Sequence, residues 1–144
     1  MAVWSTSTWK MGTLCYIDPE YQRTGVVSPK SDVYALGMVI LQLLTATPAI
    51  AVTHVVETAL ENDELASVLD QDAGEWPIDE AKELAYLGLS CAELRRKDRP
   101  DLNNKILPVL ERLKVVADAA QRSTCMTRPA PPNHFICPIR KVRL

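Results

Sequence analysis

The stretch Ser28–Thr45, SPKSDVYALGMVILQLLT, decides how the rest of the chain is read. Ser28 suits an N-cap, where its side-chain oxygen can accept from one of the first free amides of a helix. Pro29 suits the first helical position, because the N–H it lacks would have no partner there. Asp32 then falls in the first turn, where the helix dipole favours a carboxylate. From Val33 to Leu44 apolar residues run round every face, interrupted mainly by Gly37 and Gln42. A helix apolar on all sides is expected to have other elements packed around it, so this one is expected to be the hub of the core. Val33–Leu44 is too short for a membrane span, and Thr45, Thr47 and Pro48 stop it.

A hub of this kind needs a shell, and 144 residues are enough for one domain with a core but too few for two. Apolar content of 47% and charged content of 24% are ordinary for a globular chain. The net charge of −2 gives no electrostatic case for nucleic acid or an anionic membrane as partner. The charge is uneven: residues 1–120 hold 11 Lys/Arg against 18 Asp/Glu, a balance of −7, while residues 121–144 hold five Lys/Arg and no acid, a balance of +5. That shift places a boundary near Gln121. Cys15, Cys91, Cys125 and Cys137 form no CxxC pair, and MAVWSTSTWK lacks the apolar core of a signal peptide. Reduced thiols and a cytoplasmic location are expected.

Upstream of the hub, residues 1–11 have no period and read as a loop that ends at Gly12 and Thr13. In GTLCYIDPEY (Gly12–Tyr21) the Asp18–Pro19 step favours extended backbone before the proline, and a single helical turn using Glu20, Tyr21 and Gln22 is expected after it. Downstream, Val52, Val55, Val56, Ala59 and Leu60 recur at helical spacing, with Asn62 as the stop. A short helix is expected over Glu64–Leu69 and a loop over Asp70–Pro77. Asp79 is expected to cap a helix through Leu94, with an inner stripe of Ala81, Leu84, Ala85, Gly88, Cys91 and Ala92 whose small side chains suit a close helix pair. After the charged corner Arg95–Arg99 and Pro100, Asp101 is expected to cap a last helix to about Ala120. Its buried face would be Leu102, Ile106, Val109, Leu110, Leu113 and Val116, with a kink at Pro108. No segment has a strand period, so the fold class is mainly α.

GTLCYIDPEYQRTG followed by SPKSDVYALGMVILQLLT closely resembles plant receptor-like protein kinases, at the end of the activation segment, the substrate-docking loop and the central helix of the large lobe. CAELRRKDRPDL resembles the corner between the last two helices of that lobe. These three ordered motifs cover roughly residues 12–113. PPNHFICPI (Pro131–Ile139) resembles the opening of a U-box, the metal-free relative of the RING ubiquitin-ligase domain, and the order of the two pieces is similar to the plant U-box kinase family. The resemblance implies a partial protein-kinase large (C-terminal) lobe over 1–120, a linker over 121–130 and the start of a U-box over 131–144.

The same resemblance implies roles for individual residues. Glu20 matches the glutamate of the Ala-Pro-Glu motif, with Asp18 in place of the alanine, and Arg99 matches the arginine that pairs with that glutamate. Asp32 matches the hub-helix aspartate that holds the catalytic loop, although helix-dipole stabilisation would explain it alone. Gly12 and Thr13 match the substrate-docking loop, where Thr13 is either a contact to catalytic residues or only a turn residue. Ser5, Thr6, Ser7 and Thr8 lie where activation-loop phosphosites occur, although a solvated polar loop is the better explanation of them. Ile139 matches the U-box contact to a ubiquitin-conjugating enzyme, while Phe135 and Pro138 fit the pattern.

Phosphoryl transfer needs a Gly-rich loop, a strand lysine, an HRD-type loop and a DFG aspartate for magnesium, and none of these is present in the 144 residues. ATP and magnesium are implied for the complete family kinase, with no cofactor and no catalytic residue expected here. His54, among valines, reads as packing or surface, and Cys125, His134 and Cys137 have neither the number nor the spacing of a zinc site. Two functional readings follow. In one, the chain is a truncated product or incomplete gene model of a U-box kinase and ubiquitin ligase, inactive by itself. In the other, it is a non-catalytic module whose helical lobe docks a protein partner, with an exposed apolar patch where the missing parts would pack.

Overall fold

A computed structural model describes residues 13–125, with side chains through residue 122. Helix α1 (Pro19–Thr24) leads into the long α2 (Pro29–Thr45), then α3 (Val52–Glu61) and the single turn α4 (Leu65–Val68). A 3-10 turn (Gln71–Ala73) precedes α5 (Ile78–Cys91), a second one (Arg96–Asp98) follows it, and a π-turn (Leu102–Ile106) runs into α6 (Leu107–Cys125). No strand occurs among the described residues, so the fold is mainly α, as expected.

The hub forms as its sequence dictates. Ser28 Oγ accepts from the Lys30 amide at 3.2 Å, Pro29 opens α2 and Asp32 lies in its first turn. The helix ends at Ala46, whose left-handed φ of 51° lets its amide reach the Gln42 carbonyl at 2.8 Å. Leu41 and Leu44 are fully buried with Val52 and Val56 of α3, Leu65 of α4, Cys91 of α5 and Ile106.

The central contact is α2 against α5, and two glycines set its depth. A Cβ added at Gly37 would lie 2.7 Å from both Cys91 Cβ and the Gly88 carbonyl oxygen, and 2.8 Å from the Ala92 amide. At Gly88 it would meet Leu41 Cδ2 at 2.8 Å. The small residues of 81–92 therefore bring the two backbones together, as their spacing implied.

Four expectations need correction. The hub is not enclosed on every side: Val39 is 42% and Leu43 69% exposed, because the shell closes on the faces holding Val33, Met38, Leu41 and Leu44. Helix α5 starts at Ile78 with Pro77 in the cap position and no side-chain cap, so Asp79 sits inside the first turn as a dipole partner. It also stops at Cys91 rather than Leu94, which is exposed.

The last helix is the fourth case. Asp101 caps as expected, accepting from the Asn103 and Asn104 amides, but the Lys105 and Ile106 amides both donate to the Asp101 carbonyl at 3.1 Å, a π-turn. Pro108 has no N–H for the Asn104 carbonyl, and the chain takes up the break in this wide turn just before the proline. The face shifts with it: Ile106 is buried, Leu102 and Val116 are exposed, and Val109, Leu110 and Leu113 are half-buried. The helix also runs past Ala120 to Cys125, so residues 121–125 of the expected linker are helical.

Candidate functional site

The segment 13–25 is fastened to the helical core through the buried Asp18. This residue is the N-cap of α1, and its Oδ1 accepts from the Glu20 amide at 2.9 Å. Pro19 fixes the first turn and Gly25, at φ 70°, ends the helix. The cap position turns the Asp18 carboxylate inward, and only 1% of the residue is exposed. Three side chains converge on it: Arg99 Nη2 donates to Oδ1 at 2.7 Å, Arg96 Nε donates to Oδ2 at 2.9 Å and Ser31 Oγ donates to Oδ2 at 2.7 Å.

Burial pushes the Asp18 carboxyl up, and the hydrogen bonds from Arg99, Ser31, Arg96 and the Glu20 amide overcome that and hold it well below the usual carboxylate range. Arg99 is equally committed. Its Nη1 donates to the Lys30 carbonyl at 2.8 Å, its Nε to the Glu93 carbonyl at 2.7 Å, and its guanidinium lies 5.0 Å from the Tyr34 ring centroid. Lys30 Nζ closes the corner by donating to the Arg99 and Pro100 carbonyls at 2.6 and 2.8 Å. No buried side-chain nitrogen or oxygen among the described residues lacks a partner.

This corrects the expected pairing. Arg99 pairs with Asp18 rather than Glu20, whose Oε2 instead accepts from the Arg96 amide at 2.8 Å. Both carboxylates engage the 95–99 corner, but the shorter one, fixed at the cap, reaches the buried guanidinium. A second fastening was not anticipated. The Tyr16 hydroxyl donates to Gln42 Oε1, and Gln42 Nε2 donates to the Thr47 carbonyl at 3.3 Å. The polar interruption in the hub thus ties the loop to the end of α2, which an apolar pattern alone does not reveal.

The other candidate residues are more loosely placed. Asp32 is exposed and lines, with Lys30, Leu36, Asp101 and Leu102, an open cleft of about 440 Å³ at the start of α2. Thr13 is exposed, and its carbonyl accepts from the Tyr16 amide at 3.2 Å. His54 is exposed on α3. Gly12, Ser5, Thr6, Ser7, Thr8 and Ile139 lie outside the described residues, as do His134, Cys137 and the side chain of Cys125. Among the described residues no group of three or more His, Cys, Asp or Glu is arranged to hold a metal, and no helix is long and apolar enough to cross a membrane.

The arrangement offers no nucleophile beside a base and no phosphate cradle; its chemistry is that of a structural clamp holding a surface loop on a helical body. No family model matches the chain. U-box domain-containing protein 52 of Arabidopsis thaliana is 62% identical over 135 residues, which is 93% of this chain and 16% of that protein. U-box domain-containing protein 35 of the same plant matches to the same extent, and U-box domain-containing protein 70 of Oryza sativa subsp. japonica is 44% identical over 134 residues. The chain therefore spans about a sixth of the length of these relatives, 16% in each case. Among solved structures, the pseudokinase domain of BIR2, an immune regulator of the RLK/Pelle family, superposes with a TM-score of 0.59 at 28% identity, over 74% of this chain and 34% of that one. These residues are thus similar in sequence to one stretch of plant U-box domain-containing proteins and fold like part of a kinase domain.

Proposed function

We propose that the chain is the helical scaffold of the kinase-like part of a U-box protein kinase and ubiquitin ligase, and that it performs neither transfer by itself. The observation that carries this reading is the Asp18–Arg99 clamp, which holds the docking-loop segment on the core although the 144 residues contain none of the kinase motifs for ATP and magnesium. A loop fixed in this way serves substrate positioning, which in the family's Ser/Thr phosphoryl transfer is separate from nucleotide binding. On this reading residues 1–120 belong to the kinase-like part, 121–130 to a connector and 131–144 to the opening of a U-box, whose partner is a ubiquitin-conjugating enzyme once that domain is complete. Work in the cytoplasm with protein partners, and not with nucleic acid, follows from the same reading.

A second reading, a non-catalytic interaction module, draws on the outer stripe of α2. Val39 and Leu43 are exposed one turn apart, with half-buried Leu36 one turn earlier. That row suits a helix or loop from elsewhere. One experiment separates the readings: thermal unfolding of the purified chain with and without magnesium-ATP, followed by circular dichroism. A cooperative melt unmoved by nucleotide supports a folded, catalytically empty scaffold. A nucleotide-induced rise in Tm would overturn it in favour of a standalone kinase, and a non-cooperative melt would remove the independent module.

A further inference from the structure

A groove of about 270 Å³ runs between the start of α5 and the outer turns of α6. Its walls include Trp76, Leu84, Leu113, Val116, Ala117 and Ala120, and Glu80 is the charged residue of its lining. Helix α2 contributes nothing to it, so it is distinct from the exposed stripe of the hub. Its walls are apolar, and Asp79 and Glu80 lie in the first turn of α5 at its α5 side, while Glu83 one turn on is taken up by Arg112 of α6.

The complementary composition lies at the other end of the same chain. HFICPIRKVRL (134–144) sets Phe135, Ile136 and Ile139 directly before Arg140, Lys141 and Arg143, and has no acid. Reach is sufficient. Ala120 lines the groove, and the described part of α6 reaches Cys125, about 14 Å along the helix from Val116. Residues 126–133, with Pro129, Pro131 and Pro132, span up to about 25 Å when extended at ~3.1 Å per residue.

We propose that residues 134–144 fold back onto this groove, Phe135 and Ile139 against its apolar walls and Arg140, Lys141 and Arg143 against the acidic start of α5. Taken with the role proposed for Ile139, which rests on the U-box reading, the groove would compete with a ubiquitin-conjugating enzyme for that residue.

The test is disulfide trapping in the full chain, with Cys15 and Cys125 replaced by serine and Cys91 left in the core. Cys137 is the tail probe, and its partner is a cysteine introduced by Ala117→Cys in the groove or by Thr58→Cys at an exposed site on α3. Docking predicts intramolecular trapping at position 117 at least ~10-fold faster than at position 58, independent of protein concentration and slowed by 1 M salt. Phe135→Asp with Ile139→Asp, both outside the helical body, should bring the rate at 117 down to that at 58. Equal rates at the two positions in the starting chain would overturn the proposal, as would disulfide-linked dimers, which would show that a second copy covers the groove.

Discussion

Replacing Arg99 by alanine removes the guanidinium that holds the clamp together, and the structure sets the size of the effect. The substitution leaves Asp18, 1% exposed, with Arg96 and Ser31 but without its closest cation. It also strips the Lys30 and Glu93 carbonyls of their Arg99 donors and empties the space beside Tyr34. Breaking one side of a buried ion pair costs about 3–5 kcal/mol. An ordered body of this size unfolds with an entropy of roughly 0.24 kcal/mol/K, so the loss is about 13–21 °C in Tm, a large share of the ~5–15 kcal/mol a domain usually has.

The assay is urea unfolding followed by circular dichroism, run as a double-mutant cycle with Asp18→Asn and Arg99→Met. The cycle should return a coupling of ~2 kcal/mol or more, because both partners are buried and geometrically fixed. Arg99→Lys should recover little, since an ammonium cannot reach Asp18 and the Lys30 and Glu93 carbonyls together. A loss below ~1 kcal/mol for Arg99→Ala is the size of an exposed surface pair, and it would refute the idea that this clamp secures the loop.

Asp18 binds its proton more weakly in the folded chain than in the unfolded one, so its contribution is complete above the ordinary carboxylate range and fades as pH falls below about 4. Urea midpoints measured from pH 7 to pH 3 should drop less steeply in Asp18→Asn than in the parent. Gly37→Ala forces a Cβ onto backbone atoms of α5 and should cost about 3 kcal/mol in overpacking, offset by ~1 kcal/mol of helix propensity, whereas Gly88→Ala meets only side-chain atoms of Leu41 and Ile40, which can shift, and should cost less. Comparing their urea midpoints checks the order, and equal losses would contradict the close approach. Burial pushes the Cys91 thiol up to about 11, so its stabilisation is full below the ordinary thiol range and declines as pH rises through 9 to 11. Native Cys91 should resist a thiol reagent at pH 8 and react once urea unfolds the chain, with labelling read by mass spectrometry.

The sequence disclosed elements with strong local signals. Ser28 and Pro29 begin α2 where they should, the valines of 52–56 lie on α3, and Gly37 and Gly88 meet where small residues required a close contact. It failed where the outcome depends on partners far along the chain. The apolar run of the hub does not say which faces find neighbours, so Val39 and Leu43 were expected inside and are outside. In the last helix, the distance between Asp101 and Pro108 holds the signal for the π-turn, but periodicity reads straight through it.

Asp18 shows why the clamp was half legible. Before a proline and two residues from Glu20, it reads as a local turn residue, and its partner Arg99 lies 81 positions away. What selects it is side-chain length set against backbone position. At the cap of α1 a carboxylate on one methylene is held rigidly and can meet a guanidinium that is itself fixed by carbonyls at 30 and 93. Glu20, one methylene longer and inside the turn, takes the Arg96 amide instead. Two acids and two arginines thus form one joint with separate tasks, Asp18 meeting the cations and Glu20 holding the backbone that presents them. Such a joint fixes the angle of the 13–25 segment more firmly than a single pair would, because Asp18 meets Arg99, Arg96 and Ser31 while Glu20 adds a separate bond to the Arg96 amide. A loop held at two points on one corner can keep its shape while the surface beside it changes partners, which is the property the proposed docking role requires.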